Sequence, residues 1–128
     1  MRINSKFAAV AVSAAVLGGS MASAAPAQAA GQCVDYNYSQ GGYASCVGYI
    51  QQLLNFEGTH AGWAAIAVDN QFGPATRNTV ITMQRYWGLT VDGIVGAQTW
   101  RILCGPQMGP GPVPGFPYAA ARAAGCNI

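Results

Sequence analysis

Asp69 and Asp92 sit twenty-three positions apart in matching surroundings, and a pair of carboxylates is the first chemistry this chain offers. Two carboxylates divide general-acid and general-base work when their environments push their pKa values apart. Here the environments are alike. Val68-Asp69-Asn70-Gln71-Phe72-Gly73-Pro74-Ala75-Thr76 and Val91-Asp92-Gly93-Ile94-Val95-Gly96-Ala97-Gln98-Thr99 carry Val, Asp, Gly and Thr at the same offsets. Aspartates in equivalent turns of a repeat read as loop organisers that accept backbone N–H bonds from their own turn. Gly73 and Gly96 fall where the chain turns sharply before a helix, a position suited to positive φ. Thr76 and Thr99 lie in the first helical turn, where a hydroxyl can bond back to the loop. An Asp-to-Thr closure of each loop, packed by Phe72 or Val95, is the expected outcome.

The other reactive groups are few. His60 is the only histidine, and no C-x-x-C or H-x-x-x-H spacing accompanies it, so no metal is expected. No G-x-S-x-G elbow or metal-ligand helix is present, so no catalytic residue and no cofactor is expected. Cys33, Cys46, Cys104 and Cys126 are an even count in a small chain and read as two disulfides. Three connectivities are open. Cys46–Cys104 with Cys33–Cys126 is favoured, since Cys46 and Cys104 sit at the start of the first helix and the end of the last. Each closure contributes on the order of 3–4 kcal/mol in the chain-entropy model.

An N-terminal segment stands apart. Arg2 and Lys6 precede the apolar run Phe7 to Leu17, and small residues follow to Ala30, with A-x-A sites ending at Ala24 and Ala29. This is the layout of a secretory signal peptide, assigned to residues 1–29, and its apolar run is too short to span a bilayer comfortably. The formal charge of +2 resides in that segment, because Arg77, Arg85, Arg101 and Arg122 balance Asp35, Glu57, Asp69 and Asp92. Without a basic run, nothing resembles the footprint of a nucleic-acid binder. No membrane partner is expected for the mature form, and a monomer is.

The remaining roughly 100 residues make one domain with a modest core. Residues 30–44 read as a polar loop. Ser45 is placed to cap a helix through Leu54, with Val47, Ile50 and Leu54 on one face. Gly48 weakens it by about 1 kcal/mol relative to alanine. Asn55 to Gly62 is expected to break that helix, and Trp63 to Ala67 to lie on the core. Pro74 starts a second helix that runs to Tyr86 or Trp87 and stops at Gly88. A third, with Trp100, Leu103 and Cys104 facing inward, stops at Gly105. Residues 105–128 form a Gly/Pro-rich tail, stiff and extended, with a turn or two of helix over Tyr118 to Ala124 before Cys126.

Taken together, Ile50-Gln51-Gln52-Leu53-Leu54-Asn55, V-D-N-Q-F-G-P-A-T and M-Q-R-Y-W-G-L-T-V-D-G-I-V-G-A-Q-T-W resemble the peptidoglycan-binding domain family across residues 45–104. Asn70 stands where the family pattern has glycine, and Met83 where it has phenylalanine. The resemblance implies an all-α, compact three-helix fold built on the two loop-helix repeats and stapled by disulfides. It implies a secreted, non-catalytic protein, extracellular or wall-associated, whose partner is peptidoglycan through its glycan or stem peptide. The alternative is a secreted interaction or inhibitor protein using the fold as a scaffold, and a wall-lytic enzyme is the third reading. A sugar-peptide ligand favours aromatic faces beside amide and guanidinium donors. Asn70, Gln71, Gln84, Arg85, Tyr86 and Trp87 are the candidate contacts, with Asp69, Gly73, Thr76, Asp92, Gly96 and Thr99 structural. Trp63 and Trp100 are assigned to the core. Tyr36, Tyr38 and Tyr43 either form a second contact surface or cover a disulfide.

Overall fold

The structure is a computed structural model that describes residues 31–105 and 111–128. The export-signal reading of residues 1–29 lies outside them. After a short 3-10 turn at Cys33–Asp35 come four α-helices among the described residues: α1 (Ser45–Ala61), α2 (Pro74–Tyr86), α3 (Ala97–Cys104) and α4 (Tyr118–Ala124). The expected all-α class holds. The N-terminal arm adds isolated bridges, Tyr38 with Val95 and Tyr43 with Gln71, which lay it across both repeat loops.

α1 is the element on which α2, α3 and α4 all pack. Its core face carries Val47, Ile50, Leu53 and Leu54, which meet Phe72, Val80, Met83, Val95, Trp100 and Leu103 in one buried cluster. Pro74 opens α2 and Gly88, at φ 70°, follows its end, as the sequence predicts. α1 differs from the prediction at both ends. Ala44, not Ser45, is the N-cap, and the helix runs past Leu54 to Ala61 before Gly62 at φ 102° stops it. Tertiary packing overrides the weak helix formers there. Phe56, Glu57 and Gly58 are buried, and a Cβ on Gly58 would meet the Trp63 ring at 2.7 Å.

The disulfides also differ from the favoured pairing. Cys33 bonds to Cys46 and Cys104 to Cys126, with sequence separations of 13 and 22. Each arm folds back on the helix end from which it departs, so each bridge is local. The C-terminal arm is no extended tail over its described part: Val113, Phe116, Ala120, Ala121 and Ala124 are buried.

Each repeat loop closes on a buried glutamine. Gln51, 1% exposed, donates from Nε2 to Asp69 Oδ1 (2.9 Å), the Gln71 carbonyl (3.0 Å) and Thr76 Oγ1 (3.0 Å). Its Oε1 accepts from the N–H groups of Asp69 and Asn70 at 3.0 and 3.1 Å. Gln84, also 1% exposed, repeats the pattern with Asp92 Oδ1 (2.9 Å), the Ile94 carbonyl (2.9 Å) and Thr99 Oγ1 (3.2 Å). Its Oε1 accepts from Asp92 and Gly93 at 3.1 and 3.0 Å. The aspartates accept from Gln71 and Ile94 two residues on, as expected. The threonines reach those residues' carbonyls only at 3.5 Å, so the Asp-to-Thr closure runs through the glutamine.

The positive φ also lies elsewhere than predicted. Gly73 and Gly96 are extended at φ −96° and −111°, as helix N-caps. Asn70 (φ 65°) and Gly93 (φ 72°) are the left-handed residues, because the chain must turn immediately after each aspartate. Asn tolerates that region better than other residues with side chains. Its side chain then covers Gly48, where a Cβ would run into Asn70 Oδ1.

Two tests follow from this geometry. Gln51→Leu and Gln84→Leu keep volume but orphan several polar groups, and each is expected to lower unfolding free energy by roughly 2–4 kcal/mol. A loss under about 1 kcal/mol in urea titrations would remove the glutamines from their central role. Gly48→Ala is expected to cost roughly 1–3 kcal/mol by overpacking. In an Asn70→Gly background the same change becomes neutral or stabilising, since only helix propensity remains. Equal costs in both backgrounds would contradict the contact.

Candidate functional site

The proposed contacts separate into three places. Asn70 and Gln71 lie in the first loop, before the start of α2, with the Asn70 side chain packed over Gly48. Arg85, Tyr86 and Trp87 lie at the other end of α2, about 20 Å away along a helix of 13 residues. Gln84 is in the core, and its amide is spent on the second loop. A side chain so buried and so fully bonded is not available to a ligand, so Gln84 moves from the contact set to the fold. Its sequence signal was the repeated apolar-Gln pair, Ile50-Gln51 and Met83-Gln84, ahead of each loop.

The α2 end carries a row of aromatic rings. Tyr86 is 57% exposed and meets Trp63 edge-on at 6.0 Å and Trp87 at 5.3 Å. Trp63, assigned to the core from sequence, is instead half-buried at the edge of this row. It is fixed there because its indole N–H donates to the Leu54 carbonyl at 3.0 Å and its ring fills the space left by Gly58. Asn55 holds the following segment by exchanging bonds with the Ile66 backbone at 2.9 and 2.8 Å. The exposed Tyr86 ring, flanked by two half-buried indoles and beside the exposed Arg85, suits sugar C–H faces and amide or carboxylate groups. Of the N-terminal tyrosines, Tyr38 packs edge-on against Trp100 at 6.1 Å, while Tyr43 is 70% exposed.

Beneath the row lies a buried acid. Glu57 is 5% exposed on α1. Burial pushes its carboxyl above the ordinary value of 4.5, against smaller lowering effects of the Trp87 indole N–H and His60. Trp87 Nε1 is itself buried and, among the described residues, reaches no acceptor with good hydrogen-bond geometry, so its hold on the acid is weak. Asp69 is shifted the other way, held below its ordinary 3.8 chiefly by the Gln51 amide and then by the Gln71 N–H. Among the described residues no group of three or more His, Cys, Asp or Glu side chains stands together in a metal-holding cluster.

The sign of the Glu57 shift fixes a pH dependence. A carboxyl with a raised folded pKa binds its proton more tightly when folded, so stability falls as pH rises from 4.5 through the folded value. Asp69 acts oppositely and lower, its contribution being lost as pH falls below 3.8 through the folded value. Glu57→Gln is therefore expected to flatten the decline in urea midpoint between about pH 4 and about pH 8, gaining most over the parent at the neutral end. Parallel profiles for parent and variant would show that Glu57 ionises without cost.

Comparison with known proteins sets this geometry in a family. Residues 45–103 match a family model described as a peptidoglycan binding domain. The zinc D-Ala-D-Ala carboxypeptidase of Streptomyces albus G is 38% identical over 64 residues, covering 49% of this chain and 24% of that enzyme. The chain thus matches about a quarter of that relative's length. A peptidoglycan-binding protein of Clostridioides difficile, solved with glutamine hydroxamate, is 31% identical, with TM-score 0.48 over 55% of this chain and 41% of that one. The endolysin of Burkholderia phage AP3 is 34% identical, with TM-score 0.48 over 58% of this chain and 26% of that one. Residues 45–103, with both glutamine-clamped loops inside that span, thus form a segment that matches the peptidoglycan-binding domain family.

Proposed function

We propose that this chain is an exported, non-catalytic wall-binding protein that holds peptidoglycan on the Trp63–Tyr86–Trp87 row, with Arg85 at its edge. The observation that carries the proposal is the exposed Tyr86 ring, seated between two indoles at the end of α2 in a segment of the peptidoglycan-binding family. The loop aspartates and threonines are committed to the fold by the glutamine networks, so the surface that contacts wall lies elsewhere. The paired cysteines and the export-signal reading support an extracellular or wall-associated location. The carboxypeptidase relative is an enzyme, but this chain matches only 24% of its length, while residues 45–103 match a binding-domain model, which supports a binding role here.

A second reading has one observation in its favour. The C-terminal arm, outside the matched residues 45–103, packs along α1 and changes the surface of the module. A scaffold presenting such an added surface to a protein partner is the interaction-protein alternative.

Co-sedimentation of the oxidised mature protein with insoluble peptidoglycan tests the first reading. The parent is expected to pellet, and a folded Tyr86→Ala variant to lose about tenfold in affinity, the effect of truncating one aromatic anchor. A parent that remains in the supernatant across salt and pH removes the wall reading and leaves the protein-partner reading. Retention unchanged by Tyr86→Ala would move the contact away from the aromatic row.

A further inference from the structure

The arm does more than cover α1. Between the outer face of that helix and the arm lies an open cavity of about 480 Å³, walled by Phe56, Thr59 and His60 on one side and by Pro114 and Pro117 on the other. The far wall is held in place. Phe116 packs edge-on against Phe56 at 5.1 Å and against Tyr118 at 4.8 Å. The Val113 N–H donates to the Tyr118 hydroxyl at 2.7 Å, and the Cys104–Cys126 bridge anchors the arm's end. Because the arm lies beyond residues 45–103, the Pro114–Pro117 wall of this cavity is no part of the matched family segment, while the α1 wall lies within it.

Its chemistry is specific in what it presents. Among the described residues no Asp, Glu, Lys or Arg lines it, and His60 is the one titratable side chain there. The Thr59 hydroxyl donates to the Phe56 carbonyl at 2.7 Å, so the His60 Nδ1 at 2.9 Å from Thr59 Oγ1 carries the ring proton of the neutral form. Nε2 is then an acceptor for a ligand hydroxyl. The Gln52 amide, on the same wall and without a hydrogen bond among the described residues, offers both a donor and an acceptor. Hydroxyl and amide partners between proline rings and a phenylalanine suit an uncharged saccharide bearing acetamido groups. A stem peptide, with carboxylates and amines, would bring charges that nothing in the cavity pairs, and an unpaired charge is costly to desolvate.

We propose that this cavity is a glycan subsite for uncharged N-acetylated hexosamine units, distinct from the Trp63–Tyr86 row. It rests on the wall-binding reading only for the source of the glycan. A volume of about 480 Å³ lies within the range of small-molecule sites and suits a short oligosaccharide.

The test is a titration of the isotope-labelled, oxidised mature protein with the tetramer of N-acetylglucosamine, followed by NMR. Shifts are expected at the Gln52 side-chain amide, His60 and Gly115. Thr59→Arg and His60→Ala, both at exposed positions, are each expected to weaken binding at least about tenfold while leaving the far-ultraviolet circular dichroism unchanged. No shifts at millimolar tetramer, shifts centred on Trp63 and Tyr86, or parent-like binding by both variants would each overturn the subsite. So would a soluble stem peptide that occupies the cavity while the tetramer does not. Wall sedimentation keeps the two proposals apart. A parent that pellets while the tetramer misses the cavity loses the subsite and keeps wall binding, and a parent that binds the tetramer there without pelleting does the reverse.

Discussion

A primary amide buried at the base of each repeat loop is the interaction on which the rest of this structure depends. Each loop presents two successive backbone N–H groups, one carbonyl, one carboxylate and one hydroxyl to the same interior point. Only a group that donates and accepts from adjacent atoms can meet that set. A carboxylate lacks the donors, and asparagine is one methylene shorter than the side chain found here. Because Gln51 belongs to α1 and closes the loop leading into α2, while Gln84 belongs to α2 and closes the loop leading into α3, each clamp ties one helix to the start of the next. The domain is a chain of two identical couplings, with the apolar cluster filling the space they define.

The arms complete what the couplings begin. The N-terminal arm exchanges backbone bonds with Phe72 in the first loop and with Val95 in the second, pairing polar groups that the glutamines do not reach. The Cys33–Cys46 bridge holds that arm to the start of α1, and Cys104–Cys126 holds the other arm to the end of α3. Neither bridge crosses the core. In the chain-entropy view such local closures fix the placement of the arms more than they limit the whole chain. A small core of short helices therefore draws its order from buried hydrogen bonds as well as from apolar area.

Much of this was legible in the sequence, and the failures have physical causes. Pro74, Gly88 and Gly105 mark helix limits because their backbone constraints act locally. The length of α1 was not legible, since Gly58 and Thr59 argue against helix locally while Trp63, folding back onto Gly58, decides for it. Disulfide partners were not legible because the direction in which an arm leaves a helix is a tertiary property. Gln84 was misplaced for a related reason: a polar residue beside Arg85, Tyr86 and Trp87 looks like surface until its partners eight to fifteen positions onward are known. Asn70 shows the converse. Its amide suggested a ligand contact, yet the left-handed turn and the space over Gly48 explain it within the fold.

Aligning the two units on their clamps shows where the constraint ends. Gln51 is followed by Gln52, Leu53 and Leu54, and Gln84 by Arg85, Tyr86 and Trp87. The fold requires the glutamine in both, and in α1 it buries both leucines. At the end of α2 the equivalent positions hold a tyrosine more than half exposed and, just past the helix, a tryptophan only partly covered. A ring placed in solvent where the sister unit buries leucine is not explained by packing, because the same architecture closes without it. The residue directly after each clamp is likewise free of the core, and in the two helices it faces the two candidate surfaces: Gln52 toward the arm-walled cavity and Arg85 at the edge of the aromatic row. Duplication of a rigid coupling thus leaves equivalent positions beside each clamp, one set turned toward aromatic contact and the other toward neutral hydrogen bonding.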